Sequence, residues 1–222
     1  MNARDEILSR IRRALTAAPP ATAAPATAAP AGAVSGAALV GAGAAGSGDV
    51  IALLADRLVD YKANVRHCPA GSVGSVVGEL LAGATAVATP PDIPADWLSA
   101  WTGTVLRDGA PEPLTVARLD APGVAALTGC AVAIAETGTL ILDTGPVQGR
   151  RVLTLVPDHH ICVVPASRVV AGVPAGFAAL PDPSRPITLV SGPSATSDIE
   201  LDRVEGVHGP RRLDVVIVVD AQ

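Results

Sequence analysis

The stretch Cys130-Ala131-Val132-Ala133-Ile134-Ala135-Glu136-Thr137-Gly138-Thr139 decides the fold prediction, because its first six residues are all apolar. A strand with one face in solvent alternates apolar and polar side chains, so this run predicts a strand buried on both faces. Such strands are typical of α/β proteins, in which helices cover both faces of a largely parallel open sheet. The polar residues that follow leave no room for a helix before the next apolar run, which predicts a hairpin or tight bend.

Helical and extended patterns alternate from Asp49 onward. Apolar residues at helical spacing predict helices over Asp49–Tyr61 and Val73–Ala82, with a further helix over Pro94–Trp101. Short apolar runs between turn residues predict strands, with Val116–Leu127 as a connecting segment. These strands are Val65–Cys68, Ala84–Ala88, Gly103–Leu106, Cys130–Ala135, Thr139–Leu142, Val152–Val156, Ile161–Val164, Ile187–Val190 and Val215–Val219. The chain from residue 49 to residue 222 is therefore predicted to form one domain.

The first 48 residues have a different composition. Residues 1–17 place apolar side chains at helical spacing among four arginines, which predicts a short amphipathic helix. Residues 18–48 are mostly Ala, Gly, Pro, Ser and Thr, which predicts a flexible linker. A helix of this length cannot bury its apolar stripe alone, so we expect it to dock on its own domain or on another chain.

The composition argues against several classes of partner. The 222 residues include 16 basic and 21 acidic side chains, a net charge of −5, which offers no general attraction for nucleic acid. Aromatic residues make up 2% of the chain, too few for a base-stacking platform. The mean hydropathy is +0.43, but the longest uncharged stretch, residues 17–48, is almost all Ala, Gly, Pro, Ser and Thr, and four prolines interrupt it, so no membrane span is predicted.

Cysteine and histidine spacing gives no support for a metal or cofactor. Cys68, Cys130 and Cys162 are odd in number and widely separated, which fits neither a disulfide framework nor a cluster motif. Acidic residues interrupt any N-terminal signal sequence, so we expect a reduced, cytoplasmic protein. The chain also lacks a phosphate-binding loop and the Gly-x-Ser-x-Gly turn of serine hydrolases. We therefore predict no metal, cluster or nucleotide cofactor.

Glu136 ends the apolar run and is followed by Thr137, Gly138 and Thr139. A carboxylate at the end of a buried strand is expected to be partly desolvated, which raises its pKa and suits it to act as acid, base or nucleophile. The alternative is that Glu136 only accepts hydrogen bonds from amides of the bend. Both interpretations stay open at the level of sequence.

A second polar stretch follows the predicted strand Ile187–Val190. Open α/β sheets bind ligands beyond the carboxyl ends of their strands, so candidate ligand-binding residues lie here. These residues are Ser191, Gly192, Ser194 and Thr196. Ser197 and Glu200 form a capping box, so part of the stretch has an alternative role in starting a helix. We expect the two stretches to meet at one edge of the sheet and to form a pocket for a carboxylate or phosphate, with His160 and His208 nearby as candidate catalytic residues.

Taken together, five stretches resemble the LUD-domain proteins of the lactate-utilisation protein C family. They are Ala3–Leu15, Ala133–Leu140, Leu153–Val164, Ser191–Glu200 and Gly206–Pro210. The resemblance implies a fold like that of the NagB/RpiA/CoA-transferase superfamily. It also implies a role in oxidising L-lactate to pyruvate, beside two iron–sulfur subunits.

Two functional hypotheses follow. In the first, the chain is a non-redox subunit of the iron–sulfur lactate-oxidising system. In the second, it is a free-standing enzyme of the superfamily that acts on an acyl or phosphorylated ligand through Glu136. Some CoA transferases use a glutamate nucleophile near a glycine, but the residues around Glu136 do not match their motif. The resemblance therefore supports the position of a site there and not a mechanism.

Overall fold

The computed structural model describes residues 47–109, 111–182, 184–193 and 209–219. These residues belong to one compact unit, Ala44–Gln222. The predicted N-terminal helix and the linker up to residue 46 lie outside the described residues. So do three of the candidate site residues, Ser194, Thr196 and His208.

The described chain alternates strands with short helices, as predicted. The α-helices are α1 (Ser47–Asp60), α2 (Val73–Leu80), α3 (Val116–Leu119), α4 (Val152–Leu155) and α5 (Val173–Ala178). The 3-10 helices are Ala70–Ser72, Ala95–Leu98 and Ala166–Arg168. The strands are β1 (Asn64–Pro69), β2 (Ala86–Thr89), β3 (Thr104–Arg107), β4 (Val124–Gly129), β5 (Val132–Ile134), β6 (Thr139–Leu142), β7 (His159–Pro165), β8 (Val169–Val170), β9 (Thr188–Val190) and β10 (Arg212–Val219).

Six strands form the main sheet in the order β1-β10-β7-β4-β2-β3, and every pairing is parallel. Strands β4 and β7 lie in the middle and are buried along most of their length. Parallel strands need crossover connections, which place helices on the sheet faces. The predicted α/β class, with a largely parallel open sheet, is confirmed.

A second sheet of four strands has the order β8-β5-β6-β9. Strand β5 pairs antiparallel with β6 through the bend at residues 135–138, and β6 pairs antiparallel with β9. The apolar run Cys130–Ala135 therefore lies in this second sheet and not in the main one. Its burial on both faces is confirmed, because apolar layers cover each side of the second sheet.

Helices pack on both faces of the main sheet. On one face, Val73 and Val77 of α2 contact Leu127 and Ile161 of the central strands. On the other face, α1 packs with its fully buried Leu54 and Leu58. These two leucines are one helical turn apart, which gives α1 a single apolar stripe. The same apolar cluster includes Ala133, Ala135 and Leu140, so the core under α1 is shared by both sheets.

The structure corrects several predicted elements. Residues Val152–Leu155 form helix α4 and not a strand. One helical turn is enough to bury Leu153 against the main sheet, so the segment needs no strand partner. Strand β4 (Val124–Gly129) was not predicted, because it begins near the end of the segment Val116–Leu127 and its Ala, Thr and Gly residues are weak strand formers. The segment predicted as a helix from Pro94 is a 3-10 helix over Ala95–Leu98. Helix α1 begins at Ser47, two residues inside the predicted linker.

Within the described residues, no helix combines the length and apolar character needed to cross a membrane.

Candidate functional site

The bend after β5 places Glu136 at the surface of the second sheet. Its backbone N–H donates to the carbonyl of Ala171 at 2.9 Å, while its side chain is exposed. The desolvation expected at the end of a buried strand is therefore absent, because the chain turns outward one residue after Ala135. The carboxylate is accessible to solvent and to a ligand.

Hydroxyl groups from the two predicted stretches meet in a short hydrogen-bonded chain. Thr137 Oγ1 and Thr139 Oγ1 are 2.8 Å apart, and Thr139 Oγ1 is 2.8 Å from Ser191 Oγ. The antiparallel pairing of β6 with β9 brings these residues together. The two polar stretches therefore do lie at the same edge of one sheet, as expected. That sheet is the second sheet and not the main parallel sheet.

Gly138 and Gly192 allow this region to approach the end of α1. Both have positive φ angles, +60° and +89°. A Cβ atom on Gly138 would lie 2.8 Å from Arg57 Cβ, and one on Gly192 would collide with the backbone of Tyr61. Only glycine avoids both the left-handed strain and the contact. These positions therefore have a packing role that is sufficient to explain the residue type.

A groove of about 380 Å³ lies beside the end of α1, and we call it the helix-end groove. It is lined by Arg57, Asp60, Tyr61, Glu136 and Thr137. Arg57 Nη1 pairs with Asp60 Oδ2 at 3.4 Å, so its positive charge is partly compensated. The groove combines an accessible carboxylate with a cation, but its charged residues are largely solvated.

His160 lies away from this groove. It is fully buried on β7, where its Nε2 is 2.8 Å from Thr128 Oγ1 of β4. Burial and the neighbouring His159 lower the pKa of His160 to about 4, so the ring is neutral at physiological pH. His160 is not among the residues that line the helix-end groove, because its ring is held against Thr128 in the interior, and its catalytic role stays a prediction.

His159 points to the opposite face, as its adjacent position on a strand predicts. Its Nε2 is 2.5 Å from Oδ2 of the fully buried Asp214, and the same oxygen forms an ion pair with Arg212 Nε at 2.7 Å. Burial opposes the ionised form of Asp214, but His159 and Arg212 keep its pKa below the ordinary value. This cluster lies where β7 and β10 begin, and it joins the two strands.

A cavity of about 420 Å³ opens at the other edge of the main sheet, where β4 and β7 end. We call it the edge cavity. Gly129 and Pro165, the last residues of these strands, line it, together with the apolar side chains of Trp97 and Val147. Four polar or charged side chains complete the lining: Asp143, Gln148, Arg168 and Arg185. The carboxyl edge of a parallel sheet is the usual place for a ligand in open α/β folds, and the volume suits a small molecule.

Asp143 is the most buried ionisable group of the edge cavity, with 1% of its surface exposed. Its Oδ1 accepts from Gly145 N at 3.0 Å and from Gln148 Nε2 at 2.8 Å. Its Oδ2 has no hydrogen-bond partner among the described residues, and Arg185 Nη1 lies 3.7 Å away. The carboxylate is therefore held rigidly by one oxygen and has acceptor capacity left on the other.

The loop between β6 and α4 holds Asp143 in place. Thr144 and Val147 both have φ of +59°, which strains β-branched residues by about 1–3 kcal/mol each. Val147 is fixed by its N–H donating to Asp92 Oδ2 at 2.8 Å and by its carbonyl accepting from Gly129 N at 2.7 Å. Strained, well-anchored loops of this kind are concentrated at ligand-binding sites.

Arg150 anchors the end of the same loop. Its Nε and Nη2 donate to the two oxygens of Asp108 at 2.7 and 2.6 Å. These hydrogen bonds lower the pKa of Asp108, so the buried carboxylate stays ionised. The loop therefore has a fixed position over the carboxyl edge of the sheet.

The edge cavity was not predicted from the amino-acid sequence. Asp143, Gly145 and Gly149 follow an apolar strand in the same way as Glu136 and Gly138, so a comparable signal was present. Arg168 and Arg185 are far apart in sequence, and only the sheet topology brings them to one cavity.

All three cysteines are buried free thiols. The pKa of the Cys162 thiol is raised well above its ordinary value by a hydrogen bond with Cys130 and by burial. Among the described residues, no group of three His, Cys, Asp or Glu side chains is arranged to hold a metal ion.

Comparison with known proteins identifies the family. The family model described as the LUD domain matches residues 123–218, which include the second sheet, strands β4, β7 and β10 of the main sheet, and every lining residue of the edge cavity except Trp97. Lactate utilization protein C of Deinococcus radiodurans is 49% identical over 173 residues, covering 77% of this chain and 80% of that protein. The chain belongs to the LUD-domain family.

Other LUD-domain relatives agree in fold and sequence. The crystal structure of a DUF162 family protein from Deinococcus radiodurans has a TM-score of 0.68 and 40% identity, and the match covers 79% of this chain and 99% of that one. Lactate utilization protein C 1 of Bacillus mycoides is 36% identical over 94 residues, which span 40% of that protein. The LUD-domain assignment made from the five sequence stretches is confirmed.

Proposed function

We propose that this LUD-domain chain acts in lactate utilisation as a non-redox subunit, beside two iron–sulfur proteins that oxidise L-lactate to pyruvate. The observation that carries the proposal is the 49% identity, over most of both chains, to a protein named Lactate utilization protein C. The non-redox role is supported by the cysteine positions 68, 130 and 162, which lack the close spacing of cluster ligands. We place the protein in the cytoplasm, with its lactate-oxidising partners.

Deletion of the gene from its own host tests the role in lactate utilisation. We expect the deletion strain to lose growth on L-lactate and keep growth on pyruvate, because only the oxidation step is removed. Re-expression of the chain is expected to restore growth. Normal growth of the deletion strain on lactate would contradict the proposal, provided that no second copy of the gene is present.

Affinity purification from lactate-grown cells tests the partnership. We expect the tagged chain to copurify with cysteine-rich proteins that contain iron, while the chain purified alone contains no stoichiometric iron. Iron analysis and absorbance spectra of both samples provide the measurement. Stoichiometric iron in the isolated chain would overturn the non-redox assignment.

The alternative function, a free-standing enzyme that acts through Glu136, is supported by one observation. The exposed carboxylate of Glu136 lines the helix-end groove beside Arg57. The substitution Glu136→Gln removes the charge and retains the size of the side chain. If Glu136 acts chemically, the variant is expected to fold normally and fail to restore lactate growth. Glu79→Gln, at an exposed position on α2, is the matched control. Full restoration of growth by Glu136→Gln would reject the alternative.

A further inference from the structure

The edge cavity contains a buried acceptor that makes no hydrogen bond with the described residues. Asp143 Oδ2 lacks a hydrogen-bond partner although the residue is 1% exposed. Leaving a buried carboxylate oxygen without a donor is unfavourable, and native structures seldom tolerate it without a functional reason. A ligand that carries a hydroxyl group would supply the missing hydrogen bond.

Two guanidinium groups line the same cavity. Arg185 Nη1 lies 3.7 Å from Asp143 Oδ2, and Arg168 Nη1 donates to the carbonyl of Ala131 at 3.2 Å. Each guanidinium has five N–H donors in a planar fork, so both retain donors for a carboxylate. Arg185 Nε also pairs with Oδ2 of Asp182 at 3.5 Å, outside the lining. Arg168 therefore carries the positive charge of the lining that a ligand with a single negative charge would compensate.

The remaining walls of the cavity are mainly apolar. Trp97, Pro146 and Val147 line it, and its volume of about 420 Å³ exceeds what the polar end of a small acid would fill. The ligand therefore has room for an apolar side chain in addition to its carboxylate and hydroxyl groups.

We propose that the edge cavity binds an α-hydroxycarboxylate. The carboxylate pairs with Arg185 and Arg168, the hydroxyl group donates to Asp143 Oδ2, and the side chain of the acid contacts Trp97. Lactate is the smallest common chiral member of this class. The inference thus deepens the proposed function and rests on it for the identity of the acid in the cell, while the ligand class itself comes from the cavity.

Binding to the purified full-length chain tests the ligand class, with isothermal titration calorimetry as the measurement. The probes are L-lactate, L-α-hydroxyisocaproate, and the analogues that lack the hydroxyl group, propionate and isocaproate. We expect each hydroxy acid to bind at least about tenfold more tightly than its analogue, because only the hydroxy acid satisfies Asp143. We expect α-hydroxyisocaproate to bind more tightly than lactate, by roughly fourfold for each buried methylene group.

Three variants assign the binding to the edge cavity. Arg185→Gln is expected to weaken binding of every acid by about tenfold or more, because an ionic hydrogen bond is lost. Asp143→Asn is nearly isosteric and is expected to abolish the preference for the hydroxy acids. Arg211→Gln is the matched control, since Arg211 lies just before β10, at the opposite edge of the main sheet, and pairs with Asp158. Circular dichroism verifies folding, and Arg168→Gln replaces any variant that does not fold.

Several results would overturn the inference. The first is equal affinity for the hydroxy acids and their analogues, and the second is the absence of binding up to about 10 mM. The third is that the Arg185→Gln and Arg168→Gln variants both bind the acids as tightly as the parent chain does. Tighter binding of inorganic phosphate than of any hydroxy acid, with competition between them, would reject the ligand class. The growth experiment is independent of the binding experiment. If the chain binds hydroxy acids but the deletion strain grows on lactate, only the proposed function is refuted. If the deletion strain fails to grow on lactate but the chain binds no hydroxy acid, only this inference is refuted.

Discussion

His160 illustrates a residue whose surroundings oppose its charged form. Its ring is fully buried, its Nε2 lies next to Thr128, and its Nδ1 has no hydrogen-bond partner among the described residues. The pKa of His160 is lowered from 6.5 to about 4, first by burial and then by His159. In the unfolded chain the same imidazole takes up a proton near pH 6.5. Between pH 6.5 and pH 4 the unfolded state therefore binds more protons than the folded state.

Stability is expected to be fully retained above pH 6.5 and to fall as the pH drops toward 4. The pKa difference corresponds to about 3 kcal/mol in the free energy of unfolding. Replacing His160 with Gln removes this contribution and is expected to flatten the pH dependence by a comparable amount. Urea denaturation between pH 7 and pH 4 measures the effect.

His67→Gln is the control, because His67 is exposed on β1. It is expected to keep the pH dependence of the parent chain. The explanation fails if the parent chain and His160→Gln lose stability in parallel as the pH falls.

Gly138 allows the bend after β5 to pack closely against the end of α1. Gly138→Ala is expected to destabilise the fold by more than about 2 kcal/mol, since strain at φ +60° adds to a contact of 2.8 Å with Arg57 Cβ. Thermal denaturation followed by circular dichroism gives the difference. Gly83→Ala is the comparison, because Gly83 has φ +86° but nothing within 4 Å of the added Cβ, so that it isolates the strain of about 1 kcal/mol. Equal losses in both variants would show that the contact with α1 contributes nothing.

Local patterns were sufficient to predict most elements but not their assignment to sheets. The periodicity of α1 and the apolar run before Glu136 are local signals, and both elements are present. Whether β5 joins the main sheet or a separate one depends on pairing between distant segments, which periodicity does not contain. Helix α4 was mistaken for a strand because its segment is too short for the two periods to differ clearly.

The same limit applies to the candidate site. The polar residues after β5 and β9 were recognised because they follow apolar strands, and their hydroxyl groups do meet. The burial of His160 could not be predicted, because alternation along a strand gives two faces but does not tell what packs on each face. The edge cavity depends on Arg168 and Arg185, which have no neighbouring motif, so it became visible only with the fold.

For the whole molecule, the core under α1 links the two sheets. Leu54 and Leu58 of α1 contact both the main sheet and the second sheet. We therefore expect the buried amides of β5 and β6 to exchange by the same global unfolding as those of β7 and β10. The peripheral helices α3 and α5 are expected to open more easily, by at least about 2 kcal/mol, or roughly thirtyfold in exchange rate.

Native-state hydrogen exchange in low concentrations of denaturant measures these opening energies. A shared core is supported if the amides of β5, β6, β7 and β10 exchange with one common opening energy, as a single cooperative unit. A lower opening energy for the whole second sheet would mean that the two sheets unfold separately.

Strand β10 has a consequence for how the protein is made. The last strand of the described chain lies between β1 and β7 and pairs with both. A ribosome delivers β1 early, but β1 has no partner in the main sheet until Arg212–Val219 has emerged. During most of its synthesis the nascent chain therefore carries an unfinished sheet, and a chain interrupted before residue 212 has no means of closing it. The main sheet is thus completed only after every other described strand has been translated, and we expect a chain that stops before β10 to be a target for cellular quality control rather than a smaller folded protein.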